Sequence, residues 1–366
     1  MRIDYLFNSS TPSSNPGSIQ VVNTCSAIAK LSHDIRLIVP DTGSKTSLSK
    51  FYGIKKLPKF IRVKFFKKFP LGIKYYLFSL WALLHGVFNN TEIYITRNFF
   101  TLVLLNLFKK KAIIEIHHDL ENESRLVKFL YRNFDIFDNQ NIIKIVAITN
   151  SVKKYLIHNF KIDEKKIDII PSASSLNFKF KKITKKKIYN IGYFGSLDKS
   201  KGSNFIISLS KKDKQNMYFI YGGKSEEVQK LKRNKKNNLK IYSSVPYSKV
   251  KPLISKMDIL LMPSNTKKLR SLGGVGNIAK FTSPIKLFDY LASGKLIIAS
   301  NLKVFKEVLK DFESFYRYGV MKQFSFLHSL MCIIDPMYGS YTTQNKKSEI
   351  DCLYNKLLFT FRTNTN

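Results

Sequence analysis

One pattern of short strands and amphipathic stretches runs through this chain twice, and that repetition fixes the class of fold open to it. From the N-terminus, IDYLF (from Ile3), DIRLIVP, EIYIT, AIIEI, IKIVAIT and KIDIIP are apolar, β-rich runs of strand length. Helical stretches separate them, the first over about Ser18 to Lys30. After Pro171 the stretch SASSLNFKFKKITKKK is polar and basic, the composition of a linker. The alternation then restarts with IYNIGYFG, a helix over Ser203 to Lys211, and the strands MYFIYGG and LKIYSSV. A helix over Tyr247 to Lys256, the strand DILLMPS, a helix over Pro284 to Ser293 and the strand KLIIAS complete it. Strand and helix in regular succession imply a parallel sheet with helices on both faces. The expectation is an α/β protein of two Rossmann-like domains, 1–175 and 189–345, joined by a linker over 176–188. A C-terminal helix from Ser348 to Phe361 is expected to pack back on the first domain. Ligands of such sheets sit at the carboxyl ends of the strands, and two parallel sheets facing a central cleft offer a ligand site there.

Composition narrows the partners. The 366 residues, 44% hydrophobic, suffice for two packed cores. Lys and Arg number 62 against 25 Asp and Glu, a formal net charge of +37. Such charge draws nucleic acid non-specifically and anionic membrane surfaces as well. It also follows from a composition rich in Lys, Ile, Asn and Phe throughout. No helix-turn-helix, zinc or RNA-recognition signature accompanies it, so no specific nucleic-acid partner is expected. Cys25, Cys332 and Cys352 are scattered and form no CxxC or Cys/His cluster. They indicate neither a disulfide framework nor a zinc site, and they suit a reducing cytoplasm. The opening MRIDYLFNSS reads as a first buried strand and not as a signal peptide. No run of 18 apolar residues provides for a spanning helix.

The run from Ser283 to Gly294, SPIKLFDYLASG, carries the most chemistry. Ser283 is a candidate cap for a helix whose first residue is Pro284. The N–H groups of Ile285, Lys286 and Leu287 then point out of the helix start, whose partial positive charge suits a diphosphate. Lys286 and Asp289 are three apart and share a helix face. They form either a cation for phosphates with a carboxylate for both ribose hydroxyls, or a solvated ion pair on a capped helix. Gly294 ends the helix.

SPIKLFDYLASGKLIIAS resembles the nucleotide-binding signature of the family 4 glycosyltransferases, the large retaining group of GT-B architecture. IGYFGSLDKSKG, FIYGGKSEEV and VPYSKVKPLISKMDILLMPS are similar to the family's other second-domain elements. PGSIQVVNTCSAIAKLSHDIRLI, EIYITRN, IIEIHHDL and IVAITNSVKKYL resemble its first-domain landmarks. The likeness runs in order from Met1 to about Leu309, and many medium-specificity motifs agree. It implies a hexosyltransferase-type enzyme moving a sugar from a nucleoside-diphosphate-sugar donor to an acceptor hydroxyl, with retention. A glycan or lipid-linked acceptor in cell-surface polysaccharide or lipopolysaccharide assembly is implied by analogy.

The resemblance assigns roles residue by residue. Ser283, Pro284, Ile285 and Lys286 are placed at the donor diphosphate and Asp289 at the ribose. Lys201, before Gly202, is placed at the donor phosphates, as suits a point-charge cation. Gly195, in the strand-to-helix loop that opens the second domain, is expected among the donor-binding residues. It and the Gly222–Gly223 pair are also readable as turn chemistry alone. Gly17 either lets a ligand approach the backbone closely or belongs to an ordinary helix-initiating turn. Either His117 or His118 occupies the family's active-site histidine position, with Asp119 beside it. Arg97 ends a first-domain strand and either serves the site or makes a structural salt bridge. Two positions depart from the family pattern. Ser196 stands where an Arg is common, and Phe281 where a second acidic residue is common. No cofactor or metal is expected, because cations and helix N–H groups suffice to stabilise the leaving diphosphate. The rival readings are a GT-B-like sugar-nucleotide epimerase and a catalytically inactive partner subunit.

Residues 55–88 form a separate feature. KKLPKFIRVKFFKKFP interleaves cations with Phe and Ile, and the strongly apolar LGIKYYLFSLWALLHGVF follows. The pair reads either as an attachment element for an anionic membrane surface or as a core-facing helix behind a solvated basic loop.

Overall fold

The computed structural model describes residues 1–41, 46–63, 71–120, 123–179, 186–232, 237–270 and 276–310. The chain divides into two compact units. The first comprises Met1–Ala173 with the short segments Pro246–Ser248 and Phe281–Ser283; the remainder forms the second.

In the first unit, β1 (Arg2–Leu6), α1 (Pro16–Lys30), β2 (Asp34–Pro40), α2 (Leu48–Tyr52), β3 (Lys59–Val63), α3 (Leu71–Phe88) and β4 (Ile93–Thr96) follow one another. Next come α4 (Phe99–Leu107), β5 (Ala112–Ile116), α5 (Arg125–Asn133), β6 (Ile142–Ala147), α6 (Asn150–Phe160) and β7 (Ile167–Ile169). The seven strands pair in parallel in the order β3-β2-β1-β4-β5-β6-β7. The direction of winding reverses between β1 and β4, the crevice where open parallel sheets bind ligands. Helix starts are marked by side-chain caps. Asn98, Ser124 and Thr149 accept from the amides of Thr101, Val127 and Val152 to open α4, α5 and α6. One core buries Leu6, Ile38, Tyr94, Ile114 and Ile145 of the sheet against Phe78, Leu102, Val127 and Val152 of the helices.

The strand β3 was not expected. It lies inside the basic stretch read above as a loop or membrane element. As an edge strand it exposes Lys59 and Arg62 while Val63 is buried. Charges on an exposed edge mask the two-residue period and are a usual guard against edge pairing.

The second unit runs β8 (Asn190–Phe194), α7 (Ser203–Lys212), β9 (Met217–Tyr221), α8 (Ser225–Lys232), β10 (Leu239–Tyr242) and α9 (Val250–Ser255). It ends with β11 (Ile259–Met262), α10 (Ile285–Ser293), β12 (Leu296–Ala299) and α11 (Lys303–Lys310). Its parallel sheet has the order β10-β9-β8-β11-β12, with the reversal between β8 and β11. One face buries Tyr193, Ile206 and Ile220; the other buries Ile254, Leu287 and Tyr290. The two expected α/β repeats are therefore present, each with a parallel Rossmann-like sheet. The helix expected over 247–256 opens with a single tight turn, Tyr247–Lys249. The expected helix at 348–361 lies outside the described residues. Among the described residues no helix is long and apolar enough to cross a membrane.

Candidate active site

In the second unit the site gathers at the carboxyl end of β8, beside the sheet's reversal point. Glycine lets the loops there close. Gly202 adopts φ +82°, and a Cβ on it would overlap the carbonyl oxygen of Pro263. A Cβ on Gly222 would overlap the carbonyl oxygen of Gly195, so the loops after β8 and β9 touch backbone to backbone. The amide of Gly195 is tied to Tyr221 O at 2.9 Å. In the turn Lys199–Lys201, Asp198 accepts from the amide of Ser200 at 2.8 Å, and Lys201 follows one residue on.

Lys286, from the first turn of α10, reaches into this loop. Its Nζ stands 4.5 Å from the centre of the Tyr193 ring and 3.5 Å from that residue's hydroxyl. Burial and then repulsion by Lys201 push its pKa down to about 7. Lys201 is lowered in turn, chiefly by burial, with Asp198 opposing the shift. Among the described residues neither lysine makes an ion pair. Ser196 adds a buried hydroxyl with no hydrogen-bond partner among the described residues. Two mutually repelling, desolvated cations beside an orphaned hydroxyl form a cradle for an anion with several oxygens.

Several expectations for α10 change. The helix begins at Ile285, with Pro284 extended before it and no side-chain cap. Ser283 is not the cap. Its Oγ accepts from the amide of Ser172 at 3.0 Å, and its carbonyl accepts from Ser172 Oγ at 2.6 Å. The amide of Leu287 is spent on Pro284 O at 2.9 Å, which leaves those of Ile285 and Lys286 as the first-turn donors. Lys286 and Asp289 form no ion pair. Asp289 is buried and accepts from Ser174 Oγ at 2.5 Å. The solvated-pair reading of these two residues therefore fails. Phe281 is buried in part against the first unit's core, 5.8 Å from the Tyr155 ring, where a carboxylate would be expelled.

The first unit presents a second cluster, again at strand ends beside the sheet's reversal. Arg97, after β4, donates to Gly17 O at 3.3 Å and lies 5.9 Å from the Phe7 ring. It makes no salt bridge to a carboxylate among the described residues. A Cβ on Gly17 would meet only ordinary contacts, so the surrounding protein does not demand glycine there. His117 is buried, with Nε2 3.3 Å from Glu115 Oε2. Burial first, and then Arg97, push its pKa down to about 4. Burial raises Glu115, but the hydrogen bond from His117 and the Arg97 charge outweigh it and hold this carboxyl low. His118 is more exposed. Its Nδ1 donates to the backbone carbonyl of Asp119 at 2.7 Å, and its Nε2 lies 3.9 Å from Glu123 Oε1. The carbonyl of Asp119 thus orients His118. With Nδ1 donating to that carbonyl, Nε2 is the ring nitrogen beside the Glu123 carboxyl. A cavity of about 370 Å³ between α5 and α6, floored by Tyr131 and Phe137, contains none of these groups.

Glu115, Tyr193 and Ser174 were not singled out by sequence. Glu115 left a trace, as the one charge inside the apolar run AIIEI. Tyr193 and Ser174 left none.

Two family models match the chain in tandem: Glycosyltransferase Family 4 over residues 17–176 and Glycosyl transferases group 1 over residues 175–321. No curated protein matches it. Among solved structures, a glycosyltransferase from Rickettsia africae is 19% identical with a TM-score of 0.55, over 83% of this chain and 80% of that one. Anabaena Alr3699/HepE in complex with UDP and glucose is 13% identical with a TM-score of 0.56, over 84% and 83%. A variant of S. aureus TarM in complex with fondaparinux, alpha-GlcNAc-glycerol and UDP is 10% identical with a TM-score of 0.59, over 82% and 86%. By the tandem family matches and by fold, this chain belongs to the GT-B glycosyltransferases of the family 4 type.

Proposed function

We propose that the chain transfers a hexose from a nucleoside-diphosphate-sugar to an acceptor hydroxyl, with the donor held by the second unit. The observation that carries this reading is the pair Lys201 and Lys286, two desolvated lysines without an ion pair among the described residues, beside the first-turn amides of α10. The diphosphate takes both ammonium groups, the amides of Ile285 and Lys286 and the Ser196 hydroxyl. Asp289 accepts from the ribose hydroxyls in exchange for Ser174. As the anomeric bond breaks, negative charge grows on the diphosphate and the cations stabilise it without a metal. The transition state is oxocarbenium-like. Retention by front-side attack, with the donor phosphate taking the acceptor proton, needs no protein nucleophile. Of the two histidines we assign His118 to the reaction, because it is the more exposed and is held through Nδ1 by a backbone carbonyl, whereas His117 is buried on Glu115.

The acceptor in this reading is a glycan or a lipid-linked sugar of a cell-surface polysaccharide or lipopolysaccharide. Its support is the glycan and sugar ligands of the structural relatives and the name of one of them, a lipopolysaccharide outer core galactosyltransferase. We place the chain at the cytoplasmic face of a membrane, attached through residues 55–88, on the strength of the exposed cations and apolar side chains there.

Thermal unfolding with UDP and with GDP, without metal, tests the donor site in the wild type and in Asp289→Ala. Stabilisation by one nucleotide, lost in the variant, is expected. Stabilisation by neither would remove the donor reading and favour an inactive partner subunit of the same fold.

A further inference from the structure

The cavity between α5 and α6 has no part in the sites described above, and its lining is of a different kind. Its volume, about 370 Å³, falls within the about 300–1,000 Å³ of small-ligand pockets. Its floor is aromatic and fixed in place. Tyr131 and Phe137 are buried there with ring centres 5.0 Å apart, and Phe160 meets Phe137 edge-on at 5.1 Å. The Tyr131 hydroxyl donates to Phe99 O at 2.9 Å, which holds that ring. A further ring, Phe134, stands 57% exposed at the rim.

The rim is polar and balanced in charge. Two cations, Arg132 and Lys161, and two carboxylates, Asp135 and Asp138, line it, in a chain whose net charge is +37. Arg132 is already engaged. Asp135 and Lys161 make no ion pair among the described residues, and the Asp135 side chain does not cap the tight turn Ile136–Asp138 that it precedes. Asp138 gives one oxygen to Lys166 Nζ at 2.9 Å, which leaves the other as an acceptor. Asn159 donates Nδ2 to Tyr155 O at 2.9 Å, which leaves its Oδ1.

An anion in this cavity would meet two carboxylates. An acyl chain would strip the charged rim of water without pairing it. A pyranose ring meets neither objection. Its C–H groups lie on an aromatic face, whose negative π density attracts them. Each of its hydroxyls is able to donate to a carboxylate and to accept from an ammonium. We propose that this cavity is a second saccharide site, holding one sugar unit of a glycan apart from the transferred sugar. The apolar face of that unit lies on the aromatic floor, Asp135 and Asp138 accept from its hydroxyls, and Lys161 donates to them. Leu120 joins the cavity to the loop of His118. It lines the cavity, its amide donates to the Tyr155 hydroxyl at 3.1 Å, and it follows His118 by two residues. The inference rests on the glycan-acceptor reading above and adds a site to it; the donor residues of the second unit play no part.

The full chain is mixed, without nucleotide, with trisaccharides of glucose, galactose, mannose or N-acetylglucosamine, and binding is read by saturation-transfer NMR and calorimetric titration. Binding of at least one trisaccharide is expected. Asp135→Ala should weaken it at least about tenfold, the worth of one charge-assisted contact, and Asn159→Trp, which fills the rim, should weaken it likewise. Both positions are exposed, so the unfolding temperature and nucleotide stabilisation should not change. Asp289→Ala, which is aimed at the nucleotide, should bind the saccharide as the wild type does. Saccharide binding that survives both cavity variants would overturn the inference. No binding of any trisaccharide by the wild type, with nucleotide stabilisation intact, would overturn it and leave the donor reading standing. Saccharide binding lost in the cavity variants of a chain that no nucleotide stabilises would uphold it and remove the donor reading. Binding of free phenylalanine or tyrosine, and of no saccharide, would assign the cavity to a zwitterion and overturn the inference.

Discussion

The ammonium of Lys286 stands 4.5 Å above the centre of the Tyr193 ring. An aromatic face offers a cation some attraction, but far less than a carboxylate does. The group is thus held desolvated and short of negative charge, facing Lys201, before any ligand arrives.

Replacing this cation should move stability and binding in opposite directions. Lys286→Met keeps the length of the side chain and removes a charge that burial and Lys201 both oppose. The unfolding temperature should hold or rise, by up to about 1 kcal/mol of stability. Affinity for the stabilising nucleoside diphosphate should fall about 10- to 100-fold, the worth of one charge-assisted contact. Calorimetric titration beside thermal unfolding checks both signs. A loss of stability with unchanged affinity would make Lys286 structural.

The pH dependence follows from the same shift. Lys286 titrates at about 7 in the folded chain, and an unfolded lysine near 10.4. Between these values the unfolded chain binds more protons, so the penalty this group imposes on the fold is full below about pH 7 and relieved as pH rises. A bound diphosphate favours the charged form. Above about pH 7 the ligand must therefore recruit a proton, and affinity falls as pH rises, by at most about tenfold per unit. Titration at pH 8 in buffers of different ionisation enthalpy should show proton uptake on binding. In Lys286→Met the pH dependence and the uptake should shrink together; their persistence would assign them to another group.

The two histidines should separate by readout. His118→Ala should lower sugar transfer about a hundredfold or more and leave nucleotide stabilisation unchanged, since it contacts Asp119, Glu123 and Phe99 of the first unit and the nucleotide is assigned to the second. His117 is held neutral, at about 4 against an ordinary value of 6.5. The unfolded chain takes up its proton first as pH falls through that window, so stability drops there. His117→Gln should flatten the acid limb of the unfolding profile between about pH 6.5 and 4. Equal loss of transfer in both variants with no change in the acid limb would contradict the assignment.

Gly202 is the residue that lets Lys201 turn back toward α10. Gly202→Ala places a side chain at φ +82° and against Pro263 O. Stability should fall by about 1–3 kcal/mol and nucleotide stabilisation should weaken with it. An unchanged unfolding temperature would show that the loop yields.

Sequence periodicity exposed the parallel sheets because their strands are buried on both faces, so runs such as DIRLIVP and DILLMPS stand out whole. It missed β3, where Lys59 and Arg62 on an open edge hide the alternation. Lys201, Lys286 and Asp289 were legible through their motif, and the structure brings the two lysines together with Gly195. The cap was misread. A Ser before a Pro is a common helix start, but Ser283 is taken by Ser172, 111 residues away in sequence. Glu115 and Tyr193 act through contacts across strand ends, which spacing along the chain does not encode.

The central claim is that the second unit holds a nucleoside diphosphate between Lys201 and Lys286. A crystal structure with UDP or GDP, whichever stabilises the protein, tests it most directly. The account predicts diphosphate oxygens at about 2.8 Å from both ammonium groups and a ribose on Asp289 in place of Ser174. Nucleotide bound elsewhere, or bound here with either lysine turned away, would contradict it.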